Sequence, residues 1–171
     1  MLRATCLALF LCAASIRCLA QTPWMDREAA LNQSARYVMF QHTGTETASL
    51  PVYYIVEKTQ DTPRYDVPGV EVETLSRRGL DSAMTRMAGW LVTSAAYKGC
   101  RCAYNGKFGS FKIVLKQGGA PKERHLDCRA CSTHFLSQVI SATAARDTEQ
   151  TRILNTIATK YLFYLNAHRR K

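Results

Sequence analysis

The chain has 171 residues, 47% of them hydrophobic, and a formal charge of +10 from 23 Lys and Arg against 13 Asp and Glu. That is one ordinary domain with enough apolar residues for a core of its own, so disulfides reinforce it rather than supply its scaffold, and no internal repeat or low-complexity segment is present. The positive balance favours acidic partners such as sulfated glycan, anionic lipid or nucleic acid without choosing among them, and it equally suits a merely soluble basic surface.

Arg3 precedes an apolar run over residues 4–16, and Cys18-Leu19-Ala20 puts small residues at the last and third-last places of a cleavage site. This predicts a secretory signal over residues 1–20 with Gln21 as the mature start. The run is too short to span a bilayer. Cleavage removes Arg3 and Arg17 and leaves 151 residues at +8. The leader also lacks Asp and Glu, so mitochondrial import is the alternative. No later stretch has the length and hydropathy of a membrane span, which predicts a mature chain without a transmembrane segment.

Asp26 caps a predicted helix whose apolar residues Leu31, Ala35, Val38 and Met39 recur on one face. Gly44 among Thr43, Thr45 and Thr47 breaks the pattern. After Pro51, the run Val52, Tyr53, Tyr54, Ile55, Val56 predicts a strand. Asp61-Thr62-Pro63 and Pro68-Gly69 are turn signals, and residues 70–74 alternate valine with glutamate as a half-exposed strand does. Leu80, Met84, Met87, Leu91 and Val92 fall on one helical face, with Gly99 as a stop. Phe111, Ile113 and Leu115 alternate with Lys112, Val114 and Lys116. Residues 117–121, which include Gly118-Gly119 and Pro121, then turn the chain back into an extended segment over residues 123–128. Two helices follow. Phe135, Leu136, Val139, Ile140 and Ala142 mark the first, and Ile153, Leu154, Ile157, Tyr161, Leu162 and Leu165 mark the second. The terminal His168-Arg169-Arg170-Lys171 suits the end of a helix dipole and also offers a glycan or lipid contact.

Of the seven cysteines, Cys6, Cys12 and Cys18 lie in the leader, whereas Cys100, Cys102, Cys128 and Cys131 bracket the predicted hairpin. In an oxidising compartment these four pair as two disulfides, with three pairings open. In a reducing one they read as a zinc site, which His134 also adjoins in sequence. Asn32-Gln33-Ser34 is an acceptor triplet for N-glycosylation in a secreted chain. Glu71 and Glu73 share one strand face, as solvated edge charges or as a cation contact. The histidines show no metal spacing among themselves. No Ser/His/Asp order, phosphate loop or nucleotide fingerprint occurs, so the expectation is a protein without catalytic residues, metal or cofactor.

Helix, strand, loop, strand, inserted helix and cysteine-flanked hairpin is an order that resembles the cystatin superfamily over residues 26–128. Tyr65-Asp66-Val67-Pro68-Gly69 stands where that family has Gln-x-Val-x-Gly, matching at Val67 and Gly69 and departing at Tyr65. The resemblance implies an α+β fold, with one helix packed across a small antiparallel sheet and an inserted helix at residues 80–97. It also implies a hairpin staple between Cys102 and Cys128, with Cys100 and Cys131 as an outer bridge. The domain would cover residues 21–131. Residues 132–171 would be a helical C-terminal extension packed on it, without counterpart in the family.

The resemblance further implies a single contact edge made by Tyr65, Val67 and Gly69 with the hairpin tip Gly118, Gly119 and Pro121. The family's inhibitory wedge against papain-like proteases also uses an N-terminal glycine and a Pro-Trp hairpin, and residues 21–25 and 117–121 have neither. The expectation is a secreted, disulfide-bonded, cystatin-like protein that binds an extracellular protease or receptor, with acidic glycan or anionic lipid as further partners of its basic surface. The alternatives are a secreted basic signalling or host-defence ligand and an organellar subunit with a zinc-bound cysteine cluster.

Overall fold

The computed structural model describes residues 31, 34, 36–44, 50–59, 68–93 and 107–167. The predicted leader, Asn32, Tyr65, Val67, Cys100, Cys102 and residues 168–171 lie outside them. The chain divides into two units, Met1–Ser34 and Ala35–Lys171. In the first, Leu31 is buried and helical, and its carbonyl accepts from the Ser34 N–H at 3.0 Å.

The second unit is α+β. Its strands are β1 (Arg36–His42), β2 (Val52–Glu57), β3 (Val70–Leu75), β4 (Phe111–Gln117) and β5 (Lys122–Leu126), in the spatial order β3-β2-β1-β4-β5. Among the described residues its helices are α1 (Arg77–Thr93), α2 (Arg129–Ala144) and α3 (Glu149–Ala167). Three of the four strand pairings are antiparallel, and β2 pairs with β3 in parallel, so the sheet is mixed rather than antiparallel throughout.

The predicted first helix does not reach Met39. Val38 and Met39 belong to β1, the central strand, where Tyr37, Val38, Met39 and Phe40 are all buried. A strand buried on both faces reads as a continuous apolar run and not as an alternation, and a short run of that kind also satisfies a helical period. The β2 and β3 readings match the structure. The glycine turn matches too: Leu115 pairs with Lys122, and the residues between them turn at Gly118 and Gly119 with φ of 81° and 77°. Both central residues of a type I′ turn need positive φ, which glycine adopts without a Cβ penalty.

The helices share one face of the sheet. Val38 and Phe40 of β1, Tyr53 and Ile55 of β2, Leu75 of β3, Phe111 and Ile113 of β4 and Leu126 of β5 form a single core. From the helices it takes Leu80, Ala83, Met84 and Met87 of α1, Phe135, Leu136 and Val139 of α2, and Leu154, Ile157, Tyr161 and Leu165 of α3. Predicted Ala142 is exposed, and the neighbouring Thr143 is buried in its place. Tyr161 ties the layers together. Its ring meets Phe111 edge-on at 4.9 Å and Tyr53 at 5.4 Å, and its hydroxyl lies 2.9 Å from the Phe40 carbonyl and 2.7 Å from that of Pro51. A buried phenol gains a partner in this way, its one proton shared between two backbone carbonyls.

Gly109 (φ 71°) passes against Gly44 and Thr43 so closely that a Cβ would collide with the Thr43 carbonyl. The opposite sheet face carries Tyr37, Met39, Tyr54, Val56 and Val114, also buried, with Tyr37 edge-on to Tyr54 at 5.7 Å.

Candidate binding surface at the hairpin edge

Strand register fixes where the predicted contact residues stand. Gly69 and Pro68 are exposed in the turn before β3, and the Gly69 carbonyl accepts from the Val52 N–H at 2.8 Å. That end of the sheet also holds His42 and Phe111. Gly118, Gly119 and Pro121 are exposed at the other end, where Gln117 pairs with Arg36. A six-residue strand separates the two ends by roughly 20 Å. Gly69, the one described residue of its loop group, therefore stands apart from the hairpin tip: a parallel β3 starts at the end opposite to the Gly118-Gly119 turn.

The hairpin end has a groove of its own. Met84, Thr85 and Ala88 of α1 face Leu115, Gln117, Gly118, Ala120 and Lys122 across a cavity of about 410 Å³. Its floor is apolar through Met84, Ala88 and Leu115, and Lys122 stands on its rim. At its flank Arg36 contacts Asp81 of α1 and lies 4.0 Å from Glu57, which pins the helix to β1 and β2.

β5 itself is charged and open, with Lys122, Glu123, Arg124 and His125 all exposed. On the face away from the helices, Lys112 Nζ sits 3.0 Å from Glu123, while His125 reaches Glu123 with Nε2 and Ser110 Oγ with Nδ1, each at 3.4 Å. The Lys112 ammonium holds the Glu123 carboxyl below its usual range, with His125 adding to the effect and burial opposing it. Sequence reasoning missed this grouping, because only the pairing of β4 with β5 brings positions 110, 112, 123 and 125 together. Its serine, histidine and carboxylate are at the limit of hydrogen bonding, and the carboxylate is turned to Lys112. The group acts as a cross-strand charge lattice.

Glu71 and Glu73 of β3 share the helix-bearing face with Leu75, and Glu71 takes an internal cation. Lys160 of α3 reaches it at 2.8 Å and lies over the Tyr53 ring at 5.1 Å. The Glu71 carboxylate raises the Lys160 ammonium above its ordinary pKa against the effect of burial.

Cys128 caps the N-terminus of α2, its sulfur accepting from the Cys131 N–H at 3.4 Å, and both cysteines are buried beside Phe108 and Phe135 in the core. Their sulfurs are 3.1 Å apart, half as far again as an S–S bond, so they are not joined to each other. Among the described residues, no group of three or more His, Cys, Asp or Glu side chains is placed to hold a metal, and no helix is long and apolar enough to cross a membrane.

A larger recess of about 680 Å³ lies at the α2–α3 corner. Its polar lining is engaged within the helix pair: Asn155 donates to Thr143 Oγ1 at 2.9 Å, and the Thr148 N–H donates to Thr151 Oγ1 at 3.0 Å as a helix cap. Comparison with known proteins finds no matching family model, no matching curated protein and no matching solved structure.

Proposed function

We propose that the mature chain is a secreted, disulfide-bonded, non-enzymatic binding protein that recognises an extracellular protein partner through the hairpin end of its sheet. The observation that carries this reading is the groove between α1 and the β4–β5 hairpin. It sets an apolar floor of Met84, Ala88 and Leu115 beside an exposed tip, which is the composition of a side-chain-binding cleft. A cystatin-like wedge would need both loops at one end of the sheet. The contact is therefore assigned to Gly118, Gly119 and Pro121 alone, without inhibition of a papain-like protease.

In the same reading Cys100 and Cys102 bridge to Cys128 and Cys131. Two adjacent buried sulfurs at the start of α2 support such a staple. It would tie the segment after α1 to the helix pair. Closing a loop of that length contributes on the order of 3 kcal/mol.

The test uses the full-length precursor expressed through the secretory pathway. Intact mass with and without reductant is expected to show a chain starting at Gln21 and gaining the hydrogens of two disulfides on reduction. A retained leader with four free thiols contradicts it. A photoreactive residue at Ala120 is expected to cross-link an extracellular protein, and the same residue at Pro68 is not. Adducts at Pro68 alone would place recognition at the other end.

A further inference from the structure

We propose that the free edge of β5 takes an extended acidic peptide as a sixth strand, with its acidic side chains at alternate positions against Lys122 and Arg124. This deepens the binding-protein reading and rests on it for the location of the partner, but it is carried by the sheet's own hydrogen-bond pattern.

The Thr43 N–H donates to the Ser110 carbonyl at 3.0 Å, which makes positions 43 and 110 a hydrogen-bonded pair of the β1–β4 ladder. Such pairs alternate in an antiparallel ladder. Positions 112, 114 and 116 therefore bond β1, and Phe111, Ile113 and Leu115 bond β5 through their partners Leu126, Arg124 and Lys122. Glu123 and His125 are left with N–H and C=O directed away from the sheet. Together they offer two donors and two acceptors to an incoming strand. Pro121, which has no N–H, closes the edge at the turn.

Side chains on the two faces of β5 then divide the work. Glu123 and His125 are held in the lattice with Lys112 and Ser110 on one face. Lys122 and Arg124 lie two apart on the other, both exposed and without an ion-pair partner among the described residues. Exposed lysines commonly guard an edge against unwanted pairing. An incoming strand meets that guard only if it lacks negative charge, so two unpaired cations at a two-residue spacing select for acidic residues at the same spacing. Lys122 also lines the groove, so an apolar side chain beyond the acidic pair would reach Leu115 and Met84. Strand addition of this kind draws its affinity from main-chain bonds and its specificity from alternate side chains.

The probes are synthetic peptides titrated into the full chain and followed by amide shifts. A peptide with glutamate at every second residue is expected to perturb Glu123 and His125. It should bind about tenfold or more tightly than a copy N-methylated at every backbone amide, which keeps the charge but cannot pair. Lys122→Glu with Arg124→Glu is expected to reverse the preference toward a peptide with lysine at every second residue, with unchanged thermal unfolding. Equal binding of the N-methylated copy would overturn strand addition, as would shifts confined to β3 or no binding at millimolar peptide. Because the titration needs neither secretion nor a native partner, its failure with Ala120 cross-links intact sinks this inference alone. Absent cross-links with the titration intact sink the wider reading.

Discussion

At the β3 edge, Glu71 is tied to Lys160 of α3, Leu75 is fully buried under α1, and the intervening residues are half covered. At the β5 edge, four successive residues are exposed, and two of their cations have no ion-pair partner among the described residues. Both edges are charged, so charge alone does not distinguish a structural edge from a recognition edge. What separates them is the helix layer: α1 and α3 come down on β2 and β3, whereas α2 meets β5 only near its end.

The difference makes graded predictions about stability. Tyr161→Ala removes the ring that joins α3 to β1, β2 and β4 together with its hydroxyl's hydrogen bond to the backbone, so a loss of about 3–5 kcal/mol is expected in denaturant unfolding. The double change at Lys122 and Arg124 is expected to stay within about 0.5 kcal/mol of the parent. Comparable losses from both would erase the distinction.

Gly109→Ala tests the seam between the edges. Alanine there meets both a positive φ and the Thr43 carbonyl, and the expected cost is about 2 kcal/mol or more by the same assay.

The covered side also carries a pH signature. Burial holds the Tyr161 phenol protonated well above its ordinary value of 10.0, with Tyr53 and Glu71 adding to the rise. The folded chain thus keeps a proton that the unfolded chain releases, so stability is full below pH 10 and falls as pH rises beyond it. Tyr161→Phe is expected to flatten that alkaline fall, read as thermal midpoints at a series of pH values. A small effect also belongs to Glu71→Gln. Its pair with Lys160 is more than two-fifths exposed on both sides, and screening limits the loss to under about 1 kcal/mol.

Much of this fold was legible in the sequence, for local reasons. The β4–β5 hairpin showed itself through alternation and Gly118-Gly119, and the helices through apolar periodicity at residues such as Met84, Val139 and Leu154. β1 was not legible, because Val38 and Met39 sit in a run buried on both sides, where period carries no information. The parallel pairing of β2 with β3 was hidden as well, since strand direction is set by the path between strands and not by the strands' own residues. That one feature moved Gly69 to the end of the sheet opposite Gly118. The lattice of Ser110, Lys112, Glu123 and His125 had no sequence signal beyond the hairpin itself, whose register brings it together.

Residue-resolved amide exchange on the free protein tests the open β5 edge most directly. Lys122 and Arg124, bonded to β4, are expected to be protected, and Glu123 and His125, which alternate with them, to exchange at rates close to those of an unstructured chain. Equal protection of all four would mean that another strand already occupies the edge, and would contradict its assignment as the recognition surface.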